Sequence, residues 1–317
     1  MTIKEALTWA KKLLKERGVE GPEASADFLL RQVLKTDKAY IFAHPEISLT
    51  AVQETKYRIW VKRRAKHKPV WYITGKIEFC DLDLAVNQNV LIPRPETELL
   101  VERVLEELKI RNSKLEILEV GTGSGAIILS LANELTKKTL SSPTSQIKFN
   151  SVDRGSFLVE QDSRLRGNDR NVFGFSASDI SPKALSVARK NAKNLVLADK
   201  ITFKQGDLFS PWKGNKFDII VANLPYIPHE DMSTLAFDLI HYEPRTALDG
   251  GHEGLEIYKR FFETLGDHLN VGGKVFCEIG YDQGEKIQQL VAAIMPKARV
   301  TVIGDYADID RIVIIET

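Results

Sequence analysis

The chain has 317 residues, 43% of them hydrophobic and 27% charged, enough to bury the cores of two ordinary domains without disulfides or structural metals. Its longest stretch free of charged side chains, Val120 to Asn133, contains three glycines and falls short of the roughly 18 to 20 apolar residues of a membrane helix, which excludes that class. The formal net charge of +1 hides a division, because residues 1–76 carry 16 Lys and Arg against 8 Asp and Glu while the remainder carries 28 against 35, so two modules with opposite fields are expected.

No apolar run follows a basic start, and Glu5 and Glu16 interrupt the early lysines, so neither a secretory signal nor a transit peptide is expected and a cytoplasmic location is. Cys80 and Cys277 form no motif and are predicted in strands as reduced, apolar-packed thiols. Thr2 with Glu5 is a capping-box pair that opens an amphipathic helix ending at Gly18. Pro22 starts a second helix, and Thr50 with Gln53 caps another that closes on Lys62, Arg63, Arg64, Lys66, His67 and Lys68. Residues 1–75 are therefore predicted as a helical bundle. Its basic end is either a solvated helix terminus or a docking face for an acidic protein or RNA phosphates.

Between Gly75 and Pro93, Ile77, Phe79, Leu82, Leu84, Val86, Val90 and Ile92 alternate roughly with polar residues, which predicts a β-hairpin connector over residues 76–92, with turn chemistry at Asn87 to Asn89. Pro93 to Glu98 then leads into a helix through Leu108. From Leu115 onward, short apolar runs alternate with helical patterns. Strands are predicted at 115–120, 175–179, 201–205, 217–222, 274–279, 300–303 and 311–315, with helices near 125–137, 182–194, 254–269 and 282–294. This is the pattern of an α/β doubly wound, seven-stranded, mostly parallel sheet over residues 93–317, with ligands at the carboxyl ends of its strands. Residues of about 138–172 lack periodicity and are predicted to be a surface insertion.

The first strand ends in Glu119-Val120-Gly121-Thr122-Gly123-Ser124-Gly125, glycines that permit a tight turn and close approach of a nucleotide-bearing cofactor to the backbone. By itself the string also fits the dinucleotide fingerprint of dehydrogenases. Asp179, between an apolar strand and a helix opened by Pro182, has the context of a ribose-binding acid. The fourth strand runs into Asn223-Leu224-Pro225-Tyr226, an amide, a proline and an aromatic ring at the edge of the same site.

Glu119 to Gly125 resembles the first motif of class I S-adenosylmethionine-dependent methyltransferases, and Asn223 to Tyr226 resembles the Asn-Pro-Pro-Tyr motif of those that methylate amide or exocyclic amino nitrogens. Leu91 to Glu98, Glu243-Pro244-Arg245 with Leu248 to Gly251, and Glu278-Ile279-Gly280 narrow the resemblance to the HemK/PrmC family, the protein-glutamine methyltransferases of peptide chain release factors. The resemblance implies S-adenosylmethionine as cofactor, held by Glu119, Gly121, Thr122, Gly123, Ser124, Gly125, Asp179, Asp207, Leu208 and Asn223. It implies a substrate glutamine held by Asn223, Leu224, Pro225 and Tyr226, with Asn223 and Tyr226 catalytic and Tyr226 as a stacking wall, while the charge division suggests that the helical module docks the release factor. The family's first motif proline is Leu224 here, which still supplies a backbone carbonyl but frees φ and adds an N–H, so activity with a softer loop is expected.

An amide nitrogen is a weak nucleophile, so the site must hold it about 3 to 3.5 Å from the methyl and accept hydrogen bonds from its two protons. The Asn223 side-chain oxygen and the carbonyl of residue 224 are candidates. No titratable base is needed, and the six histidines show no metal-ligand spacing. Glu243 and Arg245 are expected to form an ion pair bracing the substrate loop, and a monomer without membrane or stable nucleic-acid binding is expected. Competing readings are glutamine methylation of a large-subunit ribosomal protein, adenine-N6 methylation of nucleic acid, a nicotinamide-dependent oxidoreductase and a non-catalytic binding module. The acidic charge of the larger module counts against a nucleic-acid substrate.

Overall fold

The structure is a computed structural model and describes residues 1–111, 114–141 and 173–317. The N-terminal segment forms α1 (Ile3–Glu16), α2 (Pro22–Leu34), α3 (Lys38–Ala43), α4 (Ala51–Arg64) and α5 (Val70–Thr74). Both capping boxes are present, Thr2 with Glu5 and Thr50 with Gln53, each satisfying backbone N–H groups that the first helical turn leaves free. Ile3, Ala6, Ala10 and Leu14 recur on one face of α1 and pack with Leu29, Leu30, Tyr57 and Val61 into one buried cluster. The Tyr57 hydroxyl, enclosed in this cluster, donates to the Ala26 carbonyl at 3.0 Å. The short helices α3 and α5 were not expected, since six and five residues hold too few turns to display a period.

The basic tract is not one uniform patch. Lys62, Arg63 and Lys66 are exposed, but Arg64 is buried and donates to the Ser25 hydroxyl, to the carbonyls of Glu20, His67 and Lys68, and to Asp238 at 3.5 Å. With the Tyr242 hydroxyl on the Lys66 carbonyl at 2.6 Å, it ties the bundle to the larger module.

The connector contains β1 (Lys76–Phe79) paired antiparallel with β2 (Leu82–Ala85). Its turn is Cys80-Asp81, both left-handed at φ 46° and 59°, the geometry of a two-residue primed hairpin turn, and not the expected Asn87 to Asn89. The buried side chains mark the place: they fall on odd numbers through Phe79 and on even numbers from Leu82, a change of phase that a two-residue turn produces. Cys80 therefore lies in a turn and not in a strand. Asn87 to Asn89 forms a separate turn, with Asn87 Oδ1 accepting the Asn89 N–H at 2.9 Å.

The remaining elements are α6 (Glu96–Ile110), β3 (Leu115–Val120), α7 (Ala126–Ser141), β4 (Phe173–Asp179), α8 (Pro182–Asn194), β5 (Ile201–Gln205), β6 (Phe217–Ala222), α9 (Phe237–Tyr242), α10 (Glu256–Leu265), β7 (Leu269–Glu278), α11 (Gly284–Ile294), β8 (Arg299–Gly304) and β9 (Asp310–Glu316). The sheet order is β5-β4-β3-β6-β7-β9-β8, with β3 to β7 parallel and β9 antiparallel to both its neighbours. One buried cluster joins α6, α7 and the hairpin to one face, and another joins α10 and α11 to the opposite face. The expected mostly parallel, doubly wound sheet is present. α9 was not foreseen. The expected insertion begins inside α7, which runs to Ser141; residues 142–172 lie outside the described residues.

Chain order reverses direction between β3 and β6, so the carboxyl ends of these adjacent strands open a crevice. Among the described residues no helix is long and apolar enough to cross a membrane.

Candidate active site

A cavity of about 330 Å³ occupies that crevice. Glu119, Gly121, Thr122, Gly123, Ser124, Asp179, Asp207, Leu208, Asn223, Leu224 and Pro225 all line it, together with Val90, Leu91, Pro93 and Thr97 from the connector and the start of α6. Thr246, Ala247, Asp249 and Arg260 complete the rim. Gly125 and Tyr226 are not part of the lining.

On one side the glycine loop turns back at Gly121, Gly123 and Gly125, with φ of 79°, 55° and 83°, where a side chain would be strained. A Cβ at Gly125 would stand 2.8 Å from Leu129 Cδ1, so this residue serves the packing of α7 and not the cavity surface. The Gly121 and Thr122 N–H groups both donate to the Ser178 carbonyl, which fixes the loop to β4. Glu119, 1% exposed, accepts the Thr122 hydroxyl at 2.5 Å and the Ile128 N–H at 3.1 Å. Burial outweighs these bonds and, with Asp179 nearby, pushes its carboxyl up to about 8. Asp179 accepts the N–H groups of Gly123 and Ser181, each at 2.8 Å, and burial also raises its pKa. Asp207 is paired with Arg260.

Asn191, on α8, was not anticipated. Buried at 1% exposure, it accepts the Ala85 N–H and donates to the carbonyls of Ala85 and Ser124, locking the hairpin to the glycine loop. A polar residue on the buried side of an amphipathic helix was the available signal.

On the other side Asn223 directly follows β6, and its Nδ2 donates to Thr97 Oγ1 at 3.3 Å. The N–H that Leu224 adds relative to proline donates to the Tyr258 hydroxyl at 3.3 Å, and the leucine side chain is buried against Gly121. The loop is therefore held at the residue where softening was expected. Tyr226 stands just outside the cavity lining: its hydroxyl donates to Glu278 Oε1 at 3.2 Å, and its carbonyl accepts from Gln283 Nε2 at 2.8 Å.

Glu243 also differs from expectation. Its carboxylate accepts Arg94 at 2.6 Å and the Ile92 N–H at 3.0 Å, whereas Arg245 pairs with Asp249. The ion pair braces the acceptor wall against the connector, across 149 positions of sequence. Thr97 was missed as well; it stands on the buried stripe of α6 with Leu100, Val101, Val104 and Leu108, a polar residue where packing alone would want an apolar one.

The cavity thus combines carboxylates that suit a cationic, hydroxyl-bearing ligand with a carboxamide that has one acceptor free of protein partners among the described residues. Each Asp179 oxygen accepts one backbone N–H and keeps a further lone pair for a ligand, whereas Glu119 Oε2 takes both the Thr122 hydroxyl and the Ile128 N–H and leaves Oε1 for one. In its chemistry the lining suits a sulfonium nucleoside carrying an amino acid. Among the described residues, no group of three His, Cys, Asp or Glu side chains is arranged to hold a metal ion.

Residues 5–75 match the PrmC N-terminal domain, and residues 111–247 match a methyltransferase domain. The release factor glutamine methyltransferase of Moorella thermoacetica is 37% identical over 98% of this chain and 97% of its own length. That of Bacillus anthracis is 34% identical over 100% of this chain and 99% of its own. The hMettl16 catalytic domain, solved in complex with a 3′UTR hairpin, shares the fold at a TM-score of 0.50 and 14% identity, covering 85% of this chain and 84% of that one. The sheet is that of a class I, S-adenosylmethionine-dependent methyltransferase, and with full-length relatives at this identity the chain belongs to the release factor glutamine methyltransferase family.

Proposed function

We propose that this protein transfers a methyl group from S-adenosylmethionine to the side-chain amide nitrogen of the glutamine in the Gly-Gly-Gln loop of peptide chain release factors. The observation that carries this reading is the meeting, in one cavity, of the glycine-loop carboxylates and the Asn223 carboxamide. Glu119 and Asp179 would take the ammonium and ribose hydroxyls of the cofactor, and Asp207 with Leu208 would border its adenine. When bound, S-adenosylmethionine supplies an electrophilic methyl on sulfur.

The residues of the chain do the rest. Asn223 Oδ1 and the carbonyl of residue 224 accept the two protons of the glutamine amide, which aims the nitrogen lone pair and stabilises positive charge as it develops there. Val90, Leu91 and Pro93 give the cavity an apolar side that excludes water. A proton leaves the nitrogen after transfer, so no side chain has to act as a base beforehand. Tyr226 contributes from outside the cavity, by holding Glu278.

Residues 1–75 form the docking domain for the release factor in this reading, residues 76–92 the connector and residues 93–317 the catalytic domain. The support is the charge division and the contacts of Arg64 and Lys66 with α9, which leads directly into Glu243 of the acceptor wall. The protein is read as cytoplasmic and monomeric. Incubation with methyl-labelled cofactor and a release factor, a large-subunit ribosomal protein or an oligonucleotide, followed by mass spectrometry, tests the acceptor: label on the Gly-Gly-Gln glutamine is expected, and label confined to either of the others would overturn the reading.

A further inference from the structure

We propose that Tyr258 is a positioning residue: by accepting the Leu224 N–H it fixes the peptide between the two acceptors of the substrate amide, the task that a proline ring would perform at this place. The inference rests on the function proposed above and deepens it.

The two groups that receive the amide protons, Asn223 Oδ1 and the Leu224 carbonyl, are separated by a single peptide unit. That unit is planar, so ψ of Asn223 and φ of Leu224 set how the two acceptors are disposed. In an Asn-Pro-Pro-Tyr turn the ring of the first proline would hold φ at about −65°. Leucine has no such ring, and a rocking peptide would spoil the alignment that methyl transfer requires. The Leu224 carbonyl itself accepts from no group among the described residues, so nothing steadies the pair from the oxygen side.

Tyr258, on α10, supplies the restraint. It is wholly buried, with its ring stacked on Phe262 at 5.7 Å between centroids and edge-on to Phe261 at 6.3 Å, so its hydroxyl stands at a fixed point. That oxygen accepts the Leu224 N–H at 3.3 Å and donates to the Glu278 carbonyl. A phenol has one proton to give. With the proton on Glu278, the hydroxyl can only accept from the turn, and a peptide rotated the other way would strand a buried N–H. The opposite end of the same peptide faces the glycine loop, since a Cβ at Gly121 would stand 3.8 Å from the Asn223 carbonyl oxygen.

A second anchor lies two residues on. Gln283, 2% exposed, donates from Nε2 to the Tyr226 carbonyl at 2.8 Å and accepts the Gly280 N–H on its Oε1 at 2.9 Å. Both anchors thus end at the exit of β7, one on Glu278 and the other on Gly280. The turn is gripped from behind at Leu224 and Tyr226, and the carbonyl of residue 224 is left for the substrate.

Two measurements test the proposal. The first compares the native enzyme, Tyr258→Phe, Leu224→Pro and the double variant. Tyr258→Phe keeps the ring and removes the acceptor, so kcat for glutamine methylation should fall by about tenfold while calorimetric cofactor affinity stays within about twofold. In the Leu224→Pro background there is no N–H to hold and the new ring fixes φ, so the same exchange should change kcat by less than about twofold. Comparison within each background removes the packing lost with the leucine side chain. A Tyr258→Phe enzyme with native kcat, or an equal fall in both backgrounds, would overturn the inference. The second measurement needs neither substrate nor proline: in the free protein the Leu224 amide should exchange slowly with solvent, and at least about tenfold faster in Tyr258→Phe, while the amides of β6 keep their rates. An unprotected Leu224 amide in the native protein overturns the restraint whatever the enzyme methylates. A protected amide that Tyr258→Phe releases, in a protein that methylates no glutamine, overturns the function proposed above and leaves the restraint standing.

Discussion

The two walls of the cavity are built by different means. The glycine-loop wall is made within residues 119–207 largely by backbone groups: Glu119 is held by the Ile128 N–H, and Asp179 by those of Gly123 and Ser181. The acceptor wall is made by side chains from distant parts of the chain, Asn223 on Thr97 across 126 positions, Arg94 on Glu243 across 149 and Tyr226 on Glu278 across 52. A wall of backbone bonds tolerates many side-chain changes, whereas one of side-chain bonds fails one residue at a time.

The largest expected contrast between the walls is catalytic. Asn223→Ala should lower kcat by about 100 to 1,000-fold, the loss typical of removing one preorganised hydrogen-bonding group, while calorimetry finds cofactor affinity little changed. Retained turnover would remove the role given to that residue. Next comes the brace: Arg94→Ala leaves the enclosed Glu243 carboxylate without its cation and should cost about 3 kcal/mol in a denaturant titration. Arg245→Ala, at an exposed pair, should cost no more than about 1 kcal/mol. Equal losses would mean that the two walls are not braced as described.

On the glycine-loop side, Asn191→Ala strands the Ala85 N–H and two carbonyls and should cost about 1 to 3 kcal/mol, with a parallel loss of cofactor affinity. Intact affinity would show that the hairpin does not steady the loop. A subtler effect follows from Glu119. Its folded pKa of about 8 lies above the ordinary 4.5, so the folded protein keeps a proton that the unfolded chain releases, and stability from this group declines as pH rises between those values. A cationic ligand prefers the carboxylate. Over roughly pH 5.5 to 7, where an α-amino group stays charged, cofactor affinity should rise with pH by at most about tenfold per unit, with proton release detectable as a dependence of binding heat on the buffer. Affinity that is flat with pH and buffer would contradict this. The smallest effect belongs to the hairpin: Asp81→Gly relieves a left-handed residue at φ 59° and should raise stability by no more than about 1 kcal/mol.

The same contrast explains what could be read from the sequence. Strands β5 and β6 and helix α8 coincide with their expected limits, and the glycine loop and Asp179 were legible because a short motif carries both the conformation and the chemistry. Asn223 was legible for the same reason. Thr97, Glu243 and Glu278 were visible as parts of motifs, but nothing local says that they meet Asn223, Arg94 and Tyr226, since those contacts come into being only when the sheet closes. Tyr226 shows the same limit: an aromatic beside an amide suggests stacking, and nothing local announces the buried carboxylate at its hydroxyl. The hairpin turn was displaced because Asn87 to Asn89 has strong turn chemistry, and the change of phase at Cys80-Asp81 is a weaker mark.

The Glu243 brace has a consequence for the order in which the protein is made. Every carboxylate of the glycine-loop wall has emerged by Asp207, but the opposite wall joins Ile92, Arg94 and Thr97, translated early, to Asn223 and Glu243, translated late. During vectorial synthesis the carboxylates of the glycine-loop wall thus precede the late half of the acceptor wall.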